Sequence, residues 1–291
     1  MDNDHARTGP TRRRRRLSDQ ETEERMLEAA LATVNRVGLT VSLEHISLED
    51  VIREAGVSRS AVYRRWPYKD MFFSDLLRAI AKAATPSEVP EAGPTRESVG
   101  AVLREHQDSL RTPEGRHAVV VEMLRVGNLA DLDALAKSTA WRTYVGLQAT
   151  YLSLDDGELR DEIGASLAES ERALVRRTAT SFGYWMSLMG YRVKLGLAAD
   201  AETVVALAMP LVRGAIIMGP ATPQITRESL QSDPFGVSAE ASWSPVAIAM
   251  TSIVLSYVEP DPDIEWNDER IERVRQELSG GEQVGSRRSV E

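Results

Sequence analysis

The 291-residue sequence contains no cysteine. This excludes a disulfide framework, a thiol nucleophile and every Cys-ligated metal site. Aromatic residues are scarce at 5%, although hydrophobic residues reach 42%, an ordinary share that leaves enough side chains for a sizeable core. Long apolar runs are also lacking. The longest stretch read from the sequence, about 245–258, spans 14 residues and is interrupted by Thr251, Ser252 and Ser256, too short and mixed to cross a membrane. No Gly-rich phosphate loop, Gly-x-Ser-x-Gly elbow or His-Glu-x-x-His spacing occurs, and His45, His106 and His117 are scattered. The expectation is therefore a non-enzyme with no catalytic residues, no metal ligands and no cofactor.

Neither sign of charge is short, but the two are unevenly placed. The whole chain has 35 Lys+Arg against 44 Asp+Glu, a formal charge of −9. Residues 1–84 hold 15 basic and 13 acidic side chains, a net of +2, so the rest carries −11. Halves of unlike charge suggest a basic binding end on a body with another task. The densest basic feature is the run Arg12 to Arg16. Such a block stays solvated and extended without a partner, and Arg13, Arg14 and Arg15 are candidate contacts to phosphates or the minor groove. The residues that follow, Leu17-Ser18-Asp19-Gln20-Glu21, are polar, so the run is not read as the start of an export signal and the expected location is cytoplasmic.

Helical periodicity dominates the remainder. Met26, Leu27, Ala30, Leu31, Val34 and Val37 recur at three- and four-residue spacing from Glu21 onward. Ser18 and Glu21 form a capping box before them, and Gly38 closes the stripe. Short helices are expected at 48–55 behind Ser47 and at 59–65 behind Ser58, the second stopped by Pro67. A fourth is expected over 69–84. Three prolines and a glycine between Thr85 and Pro94 then mark a junction. Beyond it, helices are expected at 96–111, 114–126, 129–152, 156–194, 201–218 and 240–258. A charged helix near 266–278 and a polar tail follow. Strand-like alternation bounded by turn pairs is missing, so the whole chain reads as all-α. The span 219–245 is expected to be a loop or to hold a short helix near 226–231. The division is a basic arm at 1–17, a DNA-binding unit at 18–84, a helical body at 96–260 and a charged end at 261–291.

The segment from Ser47 to Trp66 carries the functional signal. Two short helices joined by Gly56-Val57-Ser58 form a helix-turn-helix pattern. Val51, Ile52, Ala55, Val62 and Trp66 face inward, which leaves Arg59, Ser60, Tyr63 and Arg64 as an outward row. In an ordinary helix that row is merely a solvated face. At the start of the second helix of such a pair, it suits a DNA major groove, where arginine bonds guanine O6 and N7 together. The residues from Ala55 to Ser58, the Val62-Tyr63-x-x-aromatic-Pro run through Pro67, and Lys69-Asp70 resemble the TetR-type bacterial transcriptional regulators over about residues 20–84. The resemblance implies a recognition helix from Arg59 to Arg65 and phosphate contacts from Lys69, with Ser47 added to the candidate DNA-binding set. It also implies an all-α homodimer whose body binds a small molecule and so releases DNA. Three positions depart from the pattern: the stretch from Gly38 to Ala55 is about four residues long in excess, Ile52 replaces a small residue, and Tyr68 stands where a capping residue is usual.

In the body, Trp141, Arg142, Tyr144, Trp185 and Met189 are candidate ligand-binding residues, although an aromatic and Met cluster is equally the composition of a core. The apolar helices near 203–218 and 246–258 are candidates for pairing with a second copy. The expected partners are thus a double-stranded DNA operator, a second copy of the chain and a small-molecule effector, with no membrane. The competing readings are a ligand-independent or architectural DNA-binding protein and a helical enzyme.

Overall fold

The computed structural model describes residues 17–38, 46–83, 93–226, 229–237 and 240–287. The fold is all-α, with four strands of three residues each among the described residues. Helix α1 (Asp19–Val37) opens on the expected capping box, with Glu21 N–H donating to Ser18 Oγ at 3.0 Å and Ser18 N–H donating to Glu21 Oε2 at 2.8 Å. Helices α2 (Leu48–Ala55), α3 (Arg59–Arg65) and α4 (Lys69–Ala83) follow, with Ser47 and Ser58 as the caps of the first two. The arginine run and the extended first loop fall outside the described residues, as does His45.

These four helices share one core. Met26, Ala30 and Val34 of α1 meet Val51, Val62, Trp66, Phe72, Leu76 and Ile80, joined by two residues from further along the chain, Leu147 and Ile163. Trp66 packs edge-on against Phe72 and its Nε1 donates to Asp75 Oδ2 at 2.8 Å. The buried tryptophan is therefore both an apolar wedge and a satisfied donor.

The body departs from the expected boundaries in instructive ways. Helix α5 (Gly93–Glu105) and a 3-10 turn (Gln107–Arg111) cover the expected 96–111. Helix α6 runs unbroken from Pro113 to Lys137, through the pause expected at 127–128. Gly127 faces α5, where an added Cβ would stand 3.4 Å from Val99 Cγ2 and 3.6 Å from Thr95 Cγ2, ordinary contact distances, so the glycine sits in a helix–helix contact and does not break the helix. The break falls instead at Ser138, whose hydroxyl accepts from the Trp141 N–H and starts α7 (Thr139–Leu152).

Helix α8 (Glu158–Leu188) stops six residues before the expected 194. Gly190 adopts φ 67°, and an added Cβ would come within 2.9 Å of Trp266 Nε1. The turned chain then forms β1 (Tyr191–Val193), antiparallel to β4 (Val258–Pro260) with Arg192 opposite Glu259. Between them lie α9 (Ala201–Met218) and α11 (Pro245–Tyr257), which pack on each other.

The span 219–245 holds α10 (Pro223–Thr226), one turn earlier than expected, and a hairpin of β2 (Leu230–Ser232) with β3 (Ala241–Trp243). Phe235 packs at a tilt against Trp243, with ring centroids 5.2 Å apart, and Trp243 in turn packs with Val121 and Ala247, giving this hairpin an anchor in the body. Helix α12 (Asp268–Arg287) is longer than the expected 266–278 and docks on α5 and the 3-10 turn.

One sequence expectation is corrected here: among the described residues α9 is a longer apolar element than 245–258. Over 18 residues its mean hydropathy is 1.6, so by length and composition it is long and apolar enough to cross a membrane. In the fold it lies along α8 and α11, and its central Arg213 is tied to Glu171 of α8 at 2.5 Å.

Candidate nucleic-acid interface

Helix α3 is only seven residues long and owes its orientation to its neighbours. Leu48, Val51 and Ile52 bury one side of α2. Gly56 then reverses the chain at φ 63°, ψ 29°, a left-handed conformation that costs other residues about 1–2 kcal/mol. Ser58 caps α3, with its Oγ accepting from the Ala61 N–H at 3.3 Å. Val62 is fully buried beneath, so rotation of α3 about its axis would expose apolar surface. At the far end Trp66 leaves the helix in a non-helical conformation (φ −126°, ψ 87°) ahead of Pro67.

The outward row is where the sequence puts it. Arg59, Ser60, Tyr63 and Arg64 are all exposed on one side of α3, and Lys69 is exposed at the start of α4. Lys69 Nζ stands 5.0 Å from the Phe73 ring centroid, and the neighbouring Tyr68 is 73% exposed. Ser47 is exposed too, although its Oγ already accepts from the Asp50 N–H at 3.3 Å. Arg65 belongs to the other side: it bonds Glu23 at 2.9 Å and Asp75 at 3.3 Å. The Glu23 hydrogen bond is the main cause of its raised pKa.

Two acidic residues that the sequence reading did not single out touch the row. Glu49 Oε2 lies 2.6 Å from Arg59 Nη2, and Glu49 Oε1 accepts from the Tyr63 hydroxyl at 3.4 Å. Asp19, first residue of α1, accepts from Arg64 through both Nε, at 3.0 Å, and Nη2. The Arg64 contact joins residues 45 positions apart, so no local sequence pattern reports it. It also brings the start of α1, and hence the point where residues 1–16 join the fold, to the end of α3.

The five candidate ligand residues divide between two cores. Trp141 and Tyr144 lie with Leu174 and Val212 in one, whereas Met189 and Trp185 lie with Met186 and Tyr191 in another. Arg142 is exposed, bonding the α6 carbonyls of Ala136 and Lys137 and the Thr139 hydroxyl. It lines a half-open cleft of about 630 Å³ with Leu132, Val145, Ile216 and Ile217. Around Trp141 and Tyr144 there is instead a polar cluster. The Tyr144 hydroxyl donates to Glu171 Oε2 at 2.8 Å, and Arg213 bonds both Glu171 oxygens at 2.5 and 2.6 Å while lying beside both rings. Burial, and then the Glu171 carboxylate, push the Tyr144 phenol well above its ordinary pKa. No group of His, Asp or Glu suited to hold a metal ion occurs among the described residues.

No protein-family model matches the chain. An uncharacterised helix-turn-helix-type transcriptional regulator of Mycobacterium bovis is 35% identical to it over 91 residues, 31% of this chain. That match covers 46% of the relative, so the chain spans under half the length of the curated protein it resembles.

Proposed function

We propose that the protein is a sequence-specific DNA-binding transcriptional regulator of the TetR type, with 18–84 as its DNA-binding unit and 96–260 as its ligand-binding and dimerisation body. The observation that carries this reading is the exposed row of Arg59, Ser60, Tyr63 and Arg64 on a short helix locked by Gly56, Val62 and Trp66. The row has the donors and shape that a major groove accepts, Lys69 stands ready for phosphate, and Arg13, Arg14 and Arg15 add a basic arm. The similarity to a helix-turn-helix regulator supports the same reading.

The regulator acts as a homodimeric repressor on a palindromic operator. Two recognition helices about one turn of DNA apart require a two-fold assembly. Helix α9 supports it by leaving Leu207, Ile217 and Met218 exposed, at 45, 60 and 52%, and α11, which packs on it, leaves Ser252 and Ser256 exposed. Pairing these two helices with a second copy's forms a four-helix interface. A small-molecule effector releases DNA by binding more tightly to the conformation with the wrong helix separation. The Arg142 cleft is the candidate seat, with Trp141 and Tyr144 behind it and Trp185 and Met189 as a second, separate candidate.

The test is selection of bound duplexes from a random DNA pool, followed by a screen for small molecules that dissociate the selected complex. Enrichment of a palindrome with half-sites one helical turn apart is the expected outcome. A gel shift that saturates equally on every sequence would favour an architectural DNA-binding protein instead.

A further inference from the structure

The recognition row carries its own counter-charges. Arg59 and Tyr63, one helical turn apart on α3, share the two oxygens of the single carboxylate Glu49, which projects from the first turn of α2. Arg64 presents its Nε and Nη2 edge to Asp19. A guanidinium has five N–H donors in a planar fork. Holding one edge of Arg64 on Asp19 fixes the plane of the fork and leaves further donors for a partner, and the side chain is 42% exposed. Exposed ion pairs of this kind are weak, so each shifts binding by about five-fold at most. They are too weak to close the site, but strong enough to restrict how these side chains point.

Resting on the DNA-binding reading, the geometry points to Glu49 and Asp19 as positioning residues that set sequence selectivity: they hold Arg59, Tyr63 and Arg64 for base edges and deny the two arginines to phosphate on unselected DNA. On random duplex a carboxylate beside each arginine both occupies the cation and repels the phosphate that would otherwise attract it. On the right sequence, a guanine O6/N7 pair meets a guanidinium whose plane is already set, so less side-chain freedom is lost on binding. Selectivity rises because nonspecific binding is lowered more than specific binding.

The variants Glu49→Gln and Asp19→Asn keep the size of each side chain and remove its charge. Both are compared with the wild type on the duplex that the wild type enriches and on random duplex, over a range of salt. Random-duplex affinity is expected to tighten about three-fold in each variant, with the selected duplex gaining less, so that the ratio of the two falls. The salt slope on random DNA is expected to steepen by up to about 0.9 for each arginine released to phosphate. Equal gains on both duplexes, or none on either, would overturn the positioning role and leave the DNA-binding reading standing. A wild type that enriches no duplex would overturn both. Thermal melts of the two variants check that the fold is retained.

Discussion

At Gly56 and Arg64 the physics of one side chain decides the site. Gly56 has open space around the position a Cβ would take, so Gly56→Ala meets backbone strain rather than a clash. The substitution is expected to cost about 1 kcal/mol of stability, and Gly56→Asn less, because asparagine tolerates the left-handed region better. Urea unfolding midpoints check this, and an unshifted midpoint in Gly56→Ala would mean that the turn relaxes. Arg64→Ala is expected to cost about 1–3 kcal/mol on a selected operator and far less on random DNA. A purely structural arginine would leave both affinities of the folded protein unaltered. Legibility varied at this scale. The outward row and the caps Ser18, Ser47 and Ser58 follow from spacing alone, because a helix repeats every 3.6 residues and its first turn lacks acceptors for its N–H groups. Glu49 and Asp19 did not stand out, since contacts of α2 and α1 with α3 depend on how the helices cross.

Among the elements, α7, α8 and α9 meet at the Tyr144, Glu171 and Arg213 cluster. The phenol has a folded-state pKa above its unfolded value near 10, because burial and the Glu171 carboxylate both favour the neutral form. Its contribution to stability is therefore complete below pH about 10 and is lost as pH rises from there toward the folded-state pKa. Tyr144→Phe is expected to be less stable at neutral pH by about 1–3 kcal/mol and to lose less stability than the wild type between pH about 9 and 12. Denaturant titrations across that range decide it; parallel curves would show that Tyr144 does not contribute to the alkaline loss. For α9, Leu207→Glu and Ile217→Glu place charge on its exposed face. If that face pairs with a second copy, sedimentation equilibrium should report weakened self-association with helicity retained. Element boundaries were read well at the caps Ser18, Ser47 and Ser58 and poorly at Gly127, at Gly190 and at the caps Ser138 and Ser244. A glycine in sequence does not say whether it opens a turn or lets two helices touch.

For the molecule as a whole, charge distribution matters more than its total of −9. The described end of the basic segment lies at the recognition helix, because Asp19 bonds Arg64. Deleting residues 1–16 is expected to flatten the dependence of DNA affinity on salt by several units of slope if the arginine run neutralises phosphates. An unchanged slope in filter binding from about 50 to 200 mM salt would remove the arm from the interface. The body's net negative charge then disfavours unproductive contact with DNA.

The sequence by itself determined that the chain is helical, where the first four helices begin, and which side of α3 faces outward. Those properties are local, fixed by periodicity, capping and the special backbone of glycine and proline. Only the tertiary structure decided that Trp141 and Tyr144 belong to a different core from Trp185 and Met189, that α9 leaves Leu207, Ile217 and Met218 exposed, and that carboxylates from α1 and α2 grip the recognition row. Each of these depends on residues far apart in the chain being brought together by packing, which side-chain spacing along one helix does not encode.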